Sequence, residues 1–358
     1  MTSTGEGGAR AWVDVDLSAL LANARTVMAR SGARLLPMVK ANGYGLGAVR
    51  VTRALEVLEP WGYGVATPEE GAELRNAGIA RPIVLFTPFL PAWREACVAA
   101  RVTPVIGDAE ALACWRSTGR PFHLEVDSGM GRAGVRWDDA ASLDAIRAML
   151  RAGATCEGVC THFHSADEQP ASCDVQWERF QMVVASLPAR PALVHAANSA
   201  AALAGTRFAA DLVRPGIFIY GGAAGVTPEP VAALRARVVA ARRVDAGDAI
   251  GYGATWIAPR ASTIATLGIG YADGVLRSLS NRGTVELGSG VHPIAGRVTM
   301  DMTLVDVGDA PVRPGDVATL FGGRVTLDAQ AAAAGTISYE LLTSLGRRVE
   351  RRYTGDPG

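Results

Sequence analysis

Lysine is all but missing from this chain. Of the 35 basic residues among 358, one is a lysine, Lys40, and the rest are arginines. Either cation solvates well, so replacing surface lysines by arginines costs little. A lysine that survives such drift is suspect as one whose amine does what a permanently protonated guanidinium does not, such as forming an imine. Surplus charge is missing too: 35 acidic residues balance the basic ones, so nothing marks nucleic acid or a membrane surface as a partner. No apolar run is long enough to span a bilayer, and Met1 to Arg10 is polar and Gly-rich, unlike a secretory signal. A cytoplasmic location is expected. Five scattered cysteines (Cys97, Cys114, Cys156, Cys160 and Cys173) read as reduced thiols rather than a disulfide framework.

What is present has two textures. After a polar tail expected to be flexible over residues 1–11, residues 12–225 alternate short apolar runs with Ala- and Arg-rich stretches of helical spacing, such as Pro68 to Ala77 and Asp138 to Ala152. The runs are 35–41, 62–66, 82–86, 102–106, 122–127, 158–163, 193–196 and 217–220. Repeated strand-then-helix units predict a parallel sheet, and this number of strands fits a closed (β/α)8 barrel, with a doubly wound open sheet as the alternative. From residue 226 to the end, Val- and Thr-rich runs broken by Asp-Ala-Gly, Pro-Gly-Asp and Gly-Gly turns predict a mainly antiparallel β domain. A single helix over Ala329 to Leu345 and a last strand near Arg348 to Tyr353 complete it.

Lys40 ends the first barrel run and opens Lys-Ala-Asn-Gly-Tyr-Gly. Barrel enzymes place reactive groups at the carboxyl ends of strands, and apolar surroundings lower an amine's pKa and make it nucleophilic towards an aldehyde. Val39 to Gly47 (VKANGYGLG) resembles the cofactor-lysine segment of the pyridoxal-phosphate-dependent alanine racemases. Eight more segments follow in that family's order: VDSGMGRAGV, THFHSADE, HAANSAA, VRPGIFIYG, GYGATW, GYADG, GRVTMDM and AGTISYELL. The resemblance covers essentially the whole chain.

It implies interconversion of L- and D-alanine by a homodimer with shared active sites, with pyridoxal 5'-phosphate as cofactor and a small amino acid as substrate. Lys40 would carry the cofactor and act as one base; Tyr252 of the partner subunit would be the other. Arg214 would face the cofactor ring, supported by His162. Tyr44, Ser199, Tyr339 and the backbone of Gly216 and Ile217 would bind the phosphate. Arg132 would take the substrate carboxylate, while Tyr271, Met300 and Asp301 line the substrate pocket, with Arg277, Arg297 and Asp167 near its entrance. No metal is expected, because Cys160, His162 and His164 on one strand offer too few ligands. A broader or serine-directed racemase, or a non-catalytic carrier of the cofactor, are the rival readings.

Three positions depart from the family pattern. Gly43 replaces an alanine and Leu46 a histidine. Glu125 stands where many relatives carry a carbamylated lysine whose anion holds the carboxylate-binding arginine, so Glu125 is expected to contact Arg132 as a permanent substitute. Borohydride reduction of the purified protein should fix the cofactor on the single peptide containing Lys40; recovery of a colourless but active protein would overturn the cofactor assignment.

Overall fold

Parallel strands covered by helices are buried on both faces and so read as short, nearly continuous apolar runs. In the computed structural model, which describes residues 8–355, β1 (Ala11–Asp16) is followed by such runs: β2 (Arg34–Leu35), β3 (Tyr63–Val65), β4 (Ile83–Leu85), β5 (Thr103–Ile106), β6 (Phe122–Asp127), β8 (Cys156–Cys160), β9 (Leu193–His195) and β10 (Leu212–Val213). A short β7 (Val135–Arg136) rides on β6. From β3 to β9 the strands pair in parallel, and β10 pairs with β2. Backbone bonds complete the ring: Val39 N–H donates to Gly64 O at 2.9 Å and Asp211 N–H to Val194 O at 3.0 Å. Eight parallel strands thus close on themselves, as β2 to β6 and β8 to β10. Leu36, Val84, Val105, Cys160, Leu193 and Leu212 form a buried cluster of the barrel.

The eighth strand differs from its expected place. Ile217–Tyr220 is a 3-10 helix, and β10 precedes it. A four-residue apolar run carries no period that separates strand from helix, and Pro215-Gly216 before it turns the chain.

The chain divides into two compact units. The barrel unit holds Leu21–Ile219 and Ala223–Pro228; the other holds the residues up to Leu20, Tyr220–Gly222 and everything from Glu229. The expected start of the barrel at residue 12 is therefore corrected, because β1 is a strand of the second unit. It pairs antiparallel with β11 (Ala232–Val244) and parallel with the final strand, β19 (Glu350–Thr354). Within this unit β12 (Ala249–Ile250) and β13 (Trp256–Ile257) form a hairpin. The remaining strands are β14 (Ser262–Leu267), β15 (Thr284–Leu287), β16 (Gly290–Pro293), β17 (Thr303–Gly308) and β18 (Val317–Phe321), whose pairings are all antiparallel. The helix expected over Ala329 to Leu345 is two, Leu327–Ala334 and Ser338–Thr343, because Gly335 adopts a left-handed φ of 72° and ends the first.

Of the tail expected to be flexible, residues 1–7 lie outside the described residues, and Arg10 and Ala11 are tied down. Arg10 donates to Gly268 O at 2.6 Å and to Asp273 Oδ1 at 2.8 Å. Asp273, 1% exposed, also accepts from Arg348 Nε at 2.9 Å and from the Gly270 amide at 3.0 Å. One buried carboxylate thus joins the segment before β1, a tight turn and the segment before β19. Removing the carboxylate leaves the buried Gly270 amide unpaired and releases two part-exposed arginines, at about 1–3 kcal/mol. Asp273→Ala should lose stability on that scale in urea unfolding; parent-like stability would show that the tie contributes little.

Candidate active site

Past β2 the chain bridges Met38 to Gly64 and then makes an unusual turn. Ala41, Asn42, Gly43 and Tyr44 hold φ of 53°, 55°, 60° and 52° in succession. Three of these carry a Cβ, and left-handed backbone costs about 1–2 kcal/mol for each such residue, so the turn needs outside support. Glu70 supplies some of it: Oε1 accepts from the Ala41 amide and Oε2 from the Ala66 amide, both at 2.7 Å. Asn42 Oδ1 accepts from the Ala48 amide at 3.0 Å, and Gly43 N–H donates to Val39 O at 2.8 Å. A Cβ on Gly43 would lie 3.1 Å from the Ala48 backbone, so a larger residue there would crowd the following helix.

This turn presents Lys40, half-buried, at the carboxyl end of the first barrel strand. Burial holds the Lys40 ammonium below its ordinary pKa, Arg132 and Arg214 push the same way, and Glu70 opposes them. That is the direction that frees an amine for nucleophilic or base chemistry.

Arg214 follows β10 and is buried. Its NH2 donates to Thr161 O at 2.7 Å, Ala196 O at 3.0 Å and His162 Nδ1 at 3.2 Å, and its NH1 to His195 Nδ1 at 2.9 Å. Nε makes no bond among the described residues, which leaves its N–H available to a ligand. An arginine only donates, so both histidines meet it through unprotonated nitrogens. Burial, then Arg214, Arg132 and Lys40, push His162 down to about 3; burial and Arg214 hold His195 well below its usual value. Both rings are neutral near pH 7.

Beside these lies a cradle shaped for an anion. Ser199 Oγ is buried and accepts from the amides of Gly216 at 2.9 Å and Phe218 at 3.4 Å. Ile217 opens the 3-10 helix, where leading amides have no partner within the helix. A Cβ on Gly216 would fall 2.3 Å from the Tyr44 hydroxyl, so only glycine lets these two approach. Hydroxyls and backbone amides in a tight loop, an amine of lowered pKa and a guanidinium with a spare donor fit a phosphorylated aromatic aldehyde.

Glu125 and Arg132 line one small cavity with Thr161 and His162. The expected contact is not direct: no ion pair joins Glu125 to Arg132 among the described residues. Burial raises the Glu125 carboxyl above its ordinary pKa, and Arg132 and Arg214 oppose that rise.

Lys40, Tyr44, Glu125, Arg132, His162, Ser199, Arg214, Gly216 and Ile217 all belong to the barrel unit. Tyr252, Tyr271, Met300, Asp301 and Tyr339 belong to the other. There Tyr252 is 71% exposed on the 3-10 turn between β12 and β13. Tyr271 and Met300 are exposed neighbours, the Tyr271 amide bonding Thr299 O at 2.9 Å and the Ala272 amide Met300 O at 3.0 Å. Asp301 is ion-paired to Arg348 at 2.9 Å.

The sequence reading missed Glu70, Asn42 and His195. His195 opens the HAANSAA segment and had a signal, a polar residue ending an apolar barrel strand. Glu70 had none, since an acidic residue in a helix's first turn is ordinary.

Comparison with known proteins gives the family. Residues 15–224 match the alanine racemase N-terminal domain, and residues 231–353 the alanine racemase C-terminal domain. The chain is 40% identical to an alanine racemase of Acidiphilium cryptum over 94% of its own length and 97% of the relative's. To an alanine racemase of Carboxydothermus hydrogenoformans it is 39% identical, over 96% and 99%. Among solved structures, the alanine racemase of D-cycloserine-producing Streptomyces lavendulae superposes with a TM-score of 0.89 at 34% identity, covering 98% of both chains. That of Bartonella henselae, solved with covalently bound pyridoxal phosphate, gives 0.89 at 32% identity over 97% and 100%. With both domain models matched in order over nearly its full length, the chain belongs to the alanine racemase family.

Proposed function

We propose that this protein interconverts L- and D-alanine with pyridoxal 5'-phosphate held by Lys40, in a homodimer where Tyr252 of the partner subunit completes the site. The observation that carries the reading is the setting of the sole lysine: a half-buried amine of lowered pKa among Arg132 and Arg214, in the same unit as the Ser199–Gly216 cradle. When bound, the cofactor supplies an electron sink that acidifies the α-hydrogen of an attached amino acid. Everything else falls to the chain's own residues.

Ser199, Tyr44 and the amides of Gly216 and Ile217 hold the phosphate, with Tyr339 as a further hydroxyl. Arg214 would offer its spare Nε–H to the cofactor ring and, because it only donates, would leave the ring without a proton from this side, which would favour returning a proton to Cα over losing the amino group. Arg132 takes the substrate carboxylate, and Tyr271, Met300 and Asp301 limit the space for its side chain. Lys40 Nζ removes or returns the α-proton on one face, and the Tyr252 hydroxyl serves the other. An exposed tyrosine between two glycines of positive φ (Gly251 75°, Gly253 72°) suits a group that serves another subunit. Glu125 acts as the permanent anion behind Arg132, through the field inside their shared cavity rather than through a direct bond.

A racemisation assay over a panel of L-amino acids tests the activity, with alanine expected to turn over fastest; serine turning over faster would move the substrate assignment. Tyr252→Phe should retain bound cofactor, nearly abolish racemisation and slow α-proton exchange with solvent much more for one enantiomer than for the other. Mixing it with a Lys40→Ala variant should restore some activity through hybrid dimers. No recovery, despite verified subunit exchange, would place both bases on one chain.

Glu125→Gln should raise KM for alanine. One unit charge near the Arg132 guanidinium without direct contact contributes on the order of 1 kcal/mol, about fivefold, and bicarbonate should leave the parent enzyme's activity unchanged. A parent-like KM in the variant sinks this role.

A further inference from the structure

Arg214 is one end of a longer array. His195 Nδ1 accepts from Arg214 NH1 at 2.9 Å, and His195 Nε2 lies 2.9 Å from His123 Nδ1. Both rings are fully buried, His123 beside Trp61 and His195 edge-on to Phe86. Gly158, paired with His123 across β6 and β8, makes the room: a Cβ there would fall 2.7 Å from His123 Nδ1. Among the described residues His123 Nε2 is buried without a hydrogen-bond partner, and Glu157 Oε2 lies 3.6 Å from it. An orphaned buried nitrogen facing a carboxylate needs an explanation.

Proton bookkeeping supplies one. Arg214 only donates, so His195 Nδ1 carries no proton. A neutral His195 then bears its proton on Nε2 and donates it to His123 Nδ1. His123 must in turn bear its proton on Nε2, directed at Glu157. Every donor in the array points the same way, from the guanidinium to the carboxylate, so each bond polarises the next. Glu157, about one-third exposed, stands at the solvent end.

We propose that Glu157 is a positioning residue for Arg214, acting through the neutral histidines His123 and His195. The proposal rests on Arg214 facing the cofactor ring. A carboxylate drawing on His123 Nε2–H makes His123 Nδ1 the better acceptor, which makes His195 Nδ1 the better acceptor for Arg214 NH1. A guanidinium held there and at Thr161 O and Ala196 O cannot rotate its Nε–H away.

Nitrogen-15 correlation spectra of the histidine-labelled holoenzyme test the array directly. His123 and His195 are expected as neutral Nε2–H tautomers. Glu157→Gln, which removes the charge, and Glu157→Ala, which removes the acceptor, should shift the signals of both rings, the alanine variant more, while His164 and His292 keep theirs. Racemisation kcat should fall about 2- to 30-fold, the range for perturbing a coupled network, with KM for alanine held within about twofold. A proton on Nδ1 of either ring, or unmoved signals in both variants, overturns the array. Shifted histidine signals with an unchanged kcat overturn the positioning role. Arg214→Gln separates the underlying reading: if the absorbance band of the bound cofactor stays put, Arg214 does not face the ring, whatever the histidines show.

Discussion

The buried guanidinium of Arg214 is the interaction on which the rest of the barrel site depends. An isolated cation in an apolar interior is prohibitively costly, and here the cost is offset by hydrogen bonds to groups on or beside two neighbouring strands. Thr161 O follows β8, Ala196 O and His195 belong to the end of β9, and Arg214 itself follows β10. Barrel closure and site assembly are therefore one event: the strands must be in register for the charge to be satisfied. The same charge helps keep His162 and His195 neutral, lowers the Lys40 pKa and opposes the neutralisation of Glu125.

The second constraint is the left-handed turn after Lys40. Three residues with side chains in that conformation together cost several kcal/mol, a cost that persists only where the surroundings over-determine the backbone. Glu70 does so with both carboxylate oxygens, joining the turn to the end of β3. Small residues in Ala41-Asn42-Gly43 suit that geometry, which follows directly on Lys40 at the end of the first barrel strand. The carboxylate also opposes the fall in the Lys40 pKa while buttressing the chain, so one group handles backbone and charge together.

How much of this was legible beforehand follows from which interactions are local. Barrel strands such as Phe122–Asp127 announce themselves, because their apolar runs are continuous and flanked by helical spacing. Ile217–Tyr220 did not, because four buried residues after Pro-Gly look alike in either conformation. β1 was unreadable as a member of the second unit, since its partners β11 and β19 lie more than 200 residues away in sequence. For the site, Lys40 stood out by rarity and Arg214, His162 and Ser199 by their segments. Glu70 and His123 act through contacts between distant segments, which no spacing encodes. Glu125 was legible as an anomaly, but the absence of an ion pair to Arg132 needed coordinates.

These restraints converge on protonation. Among the cations and histidines of the barrel site, two arginines remain charged at any ordinary pH. Both histidines are pushed so low that they stay neutral. Lys40 is then the one cation of that set whose proton can leave, and burial beside two fixed cations lowers its pKa. Arginine at position 40 would preserve the charge and remove the variable. That difference gives a physical reason for one lysine among 34 arginines.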